Sequence, residues 1–351
     1  SPIQFAAIYP AEVVESAGAD GISEYIGTGP YKVSEWKQDQ YVKLEKNEDY
    51  QPSKDASTGI AGEKKAATET LYFDVVTDAA TRIAGLQNGQ YDIAEEIPAD
   101  NYEELSKDES LKMSVERGGT LNLFLNTTEG IMADVNMRQA ILAALNCDDI
   151  LLASYGNKDL YEVKCRMVRA YDTQWGTDAG KNTITKMIWK SKELLKKQDT
   201  ITKRLFGNDP DYAECIMPLW LCRNMLKKAG INAEVESYDF STFMEHRADP
   251  KQFSMFITSN SYNMLPIQLS VLDKGWAGLD RQEVTDGIAA IRSAATAEDA
   301  SAAWADLQTF LYEYGAATVL GHYTGVNAMS ANVDGVDYLR FPIYWNATAS
   351  K

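Results

Sequence analysis

The stretch Gly27-Thr28-Gly29-Pro30 is the first place where spacing could do chemistry, since glycine-freed N–H groups can cradle a phosphate. A dinucleotide fingerprint needs a third glycine and then a helix, and a phosphate loop needs Gly-Lys-Ser/Thr opening a helix. The stretch has neither, and the aromatic, β-branched run Tyr31-Lys32-Val33 follows it. Proline fixes φ while glycine permits positive φ, so the sequence predicts a turn feeding a strand.

Other reactive residue types are sparse or scattered. The four cysteines, Cys147, Cys165, Cys215 and Cys222, match no zinc spacing. Cys215 and Cys222 on one helix would stand about 10 Å apart by the helical rise, too far to bond. Pairing of Cys147 with Cys165 stays open, with buried free thiols as the plainer reading. His246 and His322 are the only histidines and lie far apart in the chain. Two such residues are too few for a metal site, which needs more converging ligands, so neither a metal nor a cofactor is expected. There is no G-x-S-x-G elbow, H-E-x-x-H motif or cysteine–histidine signature. The acidic pairs Glu95-Glu96 and Glu103-Glu104 read as solvated surface, because adjacent residues do not share a helix face.

Charge narrows the partners. Thirty-four Lys and Arg against fifty-one Asp and Glu leave a net charge of −17, which repels phosphate backbones and excludes nucleic acid as a natural partner. No apolar run is long enough to span a bilayer. Ser1-Pro2-Ile3-Gln4 lacks the basic start and apolar run of a secretion signal, and the abrupt opening reads as a processed or truncated chain.

The elements that would position a site alternate. Tyr31–Trp36 and Tyr41–Glu45 form a hairpin, and Gln51–Ala67 reads as a surface loop. Thr70–Val76 is a strand, followed by a helix that Asp78 caps and Gly89 ends, then a strand at Tyr91–Ala94. Leu121–Asn126 suits a buried strand and Val135–Tyr155 a helix. The basic stretch Lys186–Lys197 reads as a solvated amphipathic helix. Helices follow at Ala213–Ala229, Phe240–His246, Thr285–Ala294 and Ala297–Tyr314, with strands at Ile231–Ser237, Phe253–Ser259 and Thr318–Tyr323 before an irregular tail. The fold class is α/β, and two strands that cross between lobes, Leu121–Asn126 and Thr318–Tyr323, would make a hinge.

Several stretches together resemble the extracytoplasmic solute-binding proteins of ABC importers, family 5, which include peptide and nickel receptors. They are Gly27-Thr28-Gly29-Pro30-Tyr31-Lys32-Val33 with Trp36, Leu44-Glu45-Lys46-Asn47 and Tyr50; Leu86 to Ala94; Leu125-Asn126 with Val135 to Ile141; Met225 to Ile231; and Val333-Asp334-Gly335-Val336. The resemblance implies a two-lobed clamshell of the type II periplasmic-binding-protein kind, with the N-terminal part of the fixed lobe missing. Residues 1–124 would be the partial fixed lobe, 125–317 the mobile lobe and 318–351 the return to the fixed lobe. It also implies a monomer outside the cytoplasm, anchored through a lipidated N-terminus upstream of this chain, that delivers a solute, a peptide by family habit, to a membrane permease. A peptide sensor, a carbohydrate receptor and a glycosidase-like hydrolase are the alternatives.

Peptide-binding relatives place an aspartate for the peptide's amino group in a stretch that corresponds to Phe256–Pro266, where this chain has no acidic residue. Ser259, Asn260, Tyr262 and Asn263 are therefore candidates for hydrogen bonds to a neutral ligand. Asn122 and Asn126 on the first hinge strand, Tyr323 on the second, and Trp276 as a stacking surface complete the expected ligand contacts.

Overall fold

The computed structural model describes residues 8–19, 21–22, 24–58, 60–168, 174–181, 203–207, 213–261, 265–339 and 341–350, with 203–207, 213–216 and 277 described by their backbone. The chain divides into two compact units, Ser1–Glu116 with Gly325–Lys351, and Arg117–Thr324. The basic stretch Lys186–Lys197 lies outside the described residues.

In unit 1, β1 (Tyr31–Lys37) and β2 (Tyr41–Lys46) form the expected hairpin, and β3 (Thr70–Asp74) adds antiparallel to β2. The glycine-proline turn is tied back by Asn47, whose N–H donates to Pro30 O at 2.9 Å and whose side-chain amide donates to Gly29 O at 3.0 Å. A short helix α1 (Ala11–Ser16) precedes this sheet in sequence. Helix α2 (Ala79–Gln87) begins where Asp78 accepts from Thr81 N at 2.7 Å, as the cap in the sequence predicts. Its Arg82 guanidinium donates to the carbonyls of Val76, Thr77, Glu95 and Glu96, pinning the segments on either side of the helix. The strand β4 (Ile93–Ala94) pairs with Met329 and Ala328, and helix α3 (Ala99–Leu105) follows. The tail is ordered rather than irregular: Val333–Asp334 pairs with Thr348–Ala349, and Asp337–Tyr338 with Pro342–Ile343.

Unit 2 is built on β5 (Leu111–Leu125), whose residues from Arg117 onward belong to it. Its apolar C-terminal half explains the position: Leu121, Leu123, Phe124 and Leu125 are all buried. Helix α4 (Val135–Ala144) and helix α5 (Cys147–Tyr155) replace the single helix expected over Val135–Tyr155. The break falls at Asn146, whose side-chain oxygen accepts from Asp148 N at 3.1 Å and so starts a new helix. The short strand β6 (Tyr161–Glu162) comes next, then β7 (Lys203–Gly207), helix α6 (Ala213–Lys228), β8 (Ala233–Ser237), helix α7 (Phe240–Arg247) and β9 (Met255–Ser261). Helices α8 (Lys274–Ala277), α9 (Gln282–Ser293) and α10 (Ala297–Tyr314) lead to β10 (Ala317–Ser330). Within the unit the sheet order is β10-β5-β9-β7-β8, with β6 paired to β10. Trp304, Leu307 and Leu311 of α10 pack with Phe124, Phe243 and Phe256 in one buried cluster. Burying such large apolar side chains stabilises by about 1.5–3 kcal/mol each.

The two hinge candidates lie side by side, with Leu125 N donating to Ala316 O at 2.8 Å beside the β5–β10 pair. Each is longer than the sequence suggests, and each runs from one unit into the other without a break. The expected boundaries at 124/125 and 317/318 both fall inside unit 2. Gly119–Leu125 pair with Ser261–Met255 of β9, and His322 and Tyr323 pair with β6, so these residues are held by unit 2 partners.

Candidate ligand-binding site

The side chains of unit 2 that converge on one cavity come from four pieces of chain. Thr120, Asn122 and Phe124 rise from one face of β5, because alternate residues of a strand share a face. Asn260 of β9 sits opposite Thr120 in the register. Ala317, Thr318 and Val319 open β10, Leu269, Ser270 and Val271 start a 3-10 turn before α8, and Met167 also lines the space. The space is small, about 20 Å³, enough for one water-sized polar group. A larger cavity of about 740 Å³ lies in unit 1 beside β3 and β4 and gathers none of the sequence-predicted contacts.

Hydrogen bonds fix how the two asparagines stand. The Asn122 amide nitrogen donates to Thr120 O at 3.1 Å, to Thr120 Oγ1 at 2.9 Å and to Asn260 Oδ1 at 2.8 Å. A backbone carbonyl only accepts, so the Asn122 atom facing it is the nitrogen. The Asn260 atom that receives this amide is in turn its oxygen. Two groups remain without a partner among the described residues: the carbonyl oxygen of Asn122 and the NH2 of Asn260. Asn122 is 8% exposed and lines the cavity. Gly119 makes the approach of the strands possible, since a Cβ there would stand 2.0 Å from Asn260 O.

The other predicted contacts lie elsewhere, for identifiable reasons. Ser259 alternates to the opposite face of β9, across from Leu121. Asn126 is 1% exposed, and its side chain is wholly used on the turn after β5. It donates to Phe253 O at 2.9 Å and to Pro250 O, and accepts from Thr128 N at 2.8 Å and Glu129 N at 3.0 Å. Trp276 packs against Phe124, ring centres 5.1 Å apart, and Arg247 covers it at 3.7 Å from its centre. Burial lowers the proton affinity of that guanidinium, and Asp273 opposes the effect. Tyr323 stacks on Tyr155 at 5.4 Å. Tyr262 and Asn263 lie outside the described residues.

Cys147, Cys165 and Cys222 are free thiols. Cys222 of α6 is close enough to Cys147 of α5 for the two to interact electrostatically, and burial raises both thiols, Cys147 to about 11. No group of three or more His, Cys, Asp or Glu side chains gathers to hold a metal among the described residues.

Comparison with known proteins matches residues 2–271 to the bacterial extracellular solute-binding proteins, family 5 (middle). The chain belongs to this family. A probable peptide ABC transporter periplasmic-binding protein of Sinorhizobium fredii is 23% identical over 93% of this chain and 65% of its own length. The oligopeptide-binding protein AppA of Bacillus subtilis is 32% identical over 36% of this chain and 21% of its own. This chain therefore spans less than two thirds of the length of these sequence relatives. In structure, AppA of Bacillus subtilis, solved with a nonapeptide, superposes with a TM-score of 0.73 at 20% identity, covering 98% of this chain and 72% of that one. A peptide-binding protein AppA from Clostridium difficile gives 0.75 at 20% identity, covering 93% and 68%. The fold is that of the type II periplasmic binding proteins. No described helix is long and apolar enough to cross a membrane.

Of the sequence candidates, Asn122 and Asn260 line this cavity, beside Thr120, Ser270, Thr318 and Met167, which the sequence did not single out. Threonine in a strand reads as ordinary β structure, and the only available signal for Thr120 was its two-residue offset from Asn122.

Proposed function

We propose that the whole protein is an extracytoplasmic receptor that captures a small solute, of the peptide class, and delivers it to the permease of an ABC importer. No bond is made or broken in this cycle. The observation that carries the reading is the family match over residues 2–271, joined to a pair of adjacent strands, β5 and β10, that each continue from one compact unit into the other. Two connections of this kind suit hinge motion, in which ligand favours a closed state by its higher affinity for that state. Within unit 2, the cavity beside Asn122 and Asn260 is where the solute would be met. Relatives described as oligopeptide- and dipeptide-binding proteins support the solute class. The receptor works as a monomer, tethered to the cell surface through a lipidated N-terminus.

Scattering from the full-length protein, with and without the solute recovered from it by mass spectrometry, tests this. Compaction on binding and recovery of the solute unchanged are expected. Unchanged dimensions with bound solute, or release of a cleaved product, would overturn it.

A further inference from the structure

We infer that the unit 2 cavity reads an uncharged group carrying both a hydrogen-bond donor and an acceptor, an amide, and selects solutes with blocked, non-ionised ends over zwitterionic ones. The inference rests on the reading of this cavity as part of the ligand site. The Thr120 carbonyl orients the Asn122 amide, and Asn122 orients that of Asn260, at 3.1 and 2.8 Å. What the pair leaves over is one carbonyl oxygen and one NH2, which complement the N–H and C=O of an amide.

The walls agree with a neutral occupant. Among the described residues lining the cavity, Thr120, Ser270 and Thr318 add hydroxyls, Phe124, Val271 and Val319 add apolar surface, and none carries a charge. An ammonium placed here would lose its water and gain no carboxylate, and a carboxylate would gain no guanidinium or ammonium. Each loss outweighs one neutral hydrogen bond, so an ionised end is disfavoured while an amide satisfies both asparagines. With about 20 Å³, room for a single water-sized polar atom, the cavity meets the polar edge of one group and not a whole residue, so it sorts solutes by the chemistry of that edge.

The test uses the full-length protein and one tripeptide library made twice, with free termini and with N-acetyl and C-amide ends. Both forms are equilibrated together with the protein, and the retained peptides are quantified by mass spectrometry. Retention of the blocked form about tenfold or more above the free form is expected. Equal retention, or preference for the free form, overturns the inference and leaves solute capture standing. Retention of neither form overturns both this inference and the peptide class of the receptor. Two variants locate the effect. Asn260→Asp keeps the oxygen that accepts from Asn122 and turns the unused NH2 into a carboxylate oxygen, so the preference should swing toward free amines. Asn260→Ala should lower retention of the blocked form about two- to tenfold without that swing. A wild-type ratio that survives in both variants overturns the assignment to this pair.

Discussion

Asn122 on β5 and Asn126 just past its end carry the same side chain and are both buried, yet they do opposite things. At Asn126 every polar atom is used, donating to two carbonyls and accepting from Thr128 and Glu129, so the residue closes a turn. At Asn122, which lines a cavity, the nitrogen is saturated and the oxygen has no partner among the described residues. Arg138 belongs with Asn126. Fully buried, it donates to the carbonyls of Met132, Ala133, Tyr314 and Gly315 and rests on the Tyr314 ring at 4.5 Å. Burial lowers its proton affinity, but a guanidinium stays charged, and the carbonyls ending α10 supply the negative end of a helix dipole. A buried polar group whose bonds are all internal holds structure, and one with a bond left over has something to offer a ligand.

That contrast can be broken by substitution. Arg138→Met should have the largest effect, about 3–5 kcal/mol of unfolding free energy, because four carbonyls lose their donor inside the protein. Chemical denaturation of the full-length protein measures it, and a loss below about 1 kcal/mol would remove Arg138 from the structural class. Asn126→Ala should cost about 2–3 kcal/mol and leave solute selectivity unchanged, as read from the same denaturation curves and from peptide retention. Asn122→Ala should cost less, about 1 kcal/mol, while weakening solute retention several-fold. If Asn122→Ala destabilises as much as Asn126→Ala and leaves retention intact, the two asparagines are one class and the comparison fails. The smallest effect concerns the thiols. With Cys147 raised to about 11 by burial, its alkylation at pH 8 should be far slower in the folded protein than after unfolding, where the ordinary value of 9.0 returns. Site-resolved mass spectrometry reads this, and equal rates would show that the interface between α5 and α6 opens freely.

Much of the scaffold was legible because local rules decide it. The hairpin of β1 and β2 follows from strand formers around a four-residue connection, and α2 starts at a residue whose side chain can cap it. The length of β5 was not legible. Its first half is polar and its Gly118-Gly119 pair looks like a turn, whereas Gly119 serves the close approach of β9. The break between α4 and α5 was missed because Asn146 sits inside an apolar periodicity that continues through it. The lining of the candidate cavity was half legible. Asparagines in an apolar strand stand out, but which of them keeps a free atom depends on Pro250, Phe253 and Asn260, more than a hundred residues away in sequence. Arg138 is hidden for the same reason, its partners on α10 being 176 residues downstream.

Unit 1 is assembled from two stretches of chain separated by all of unit 2, and this orders events at the ribosome. Ile93 and Ala94 wait for Met329 and Ala328, Lys112 waits for Asp334, and Thr68 waits for Ala347. At about 5–20 residues per second, the roughly two hundred intervening residues impose a delay of some ten to forty seconds. During that interval β1, β2 and β3 can pair among themselves. Unit 2, being continuous, can close first, so the stretch of unit 1 that precedes it in the chain is completed after it.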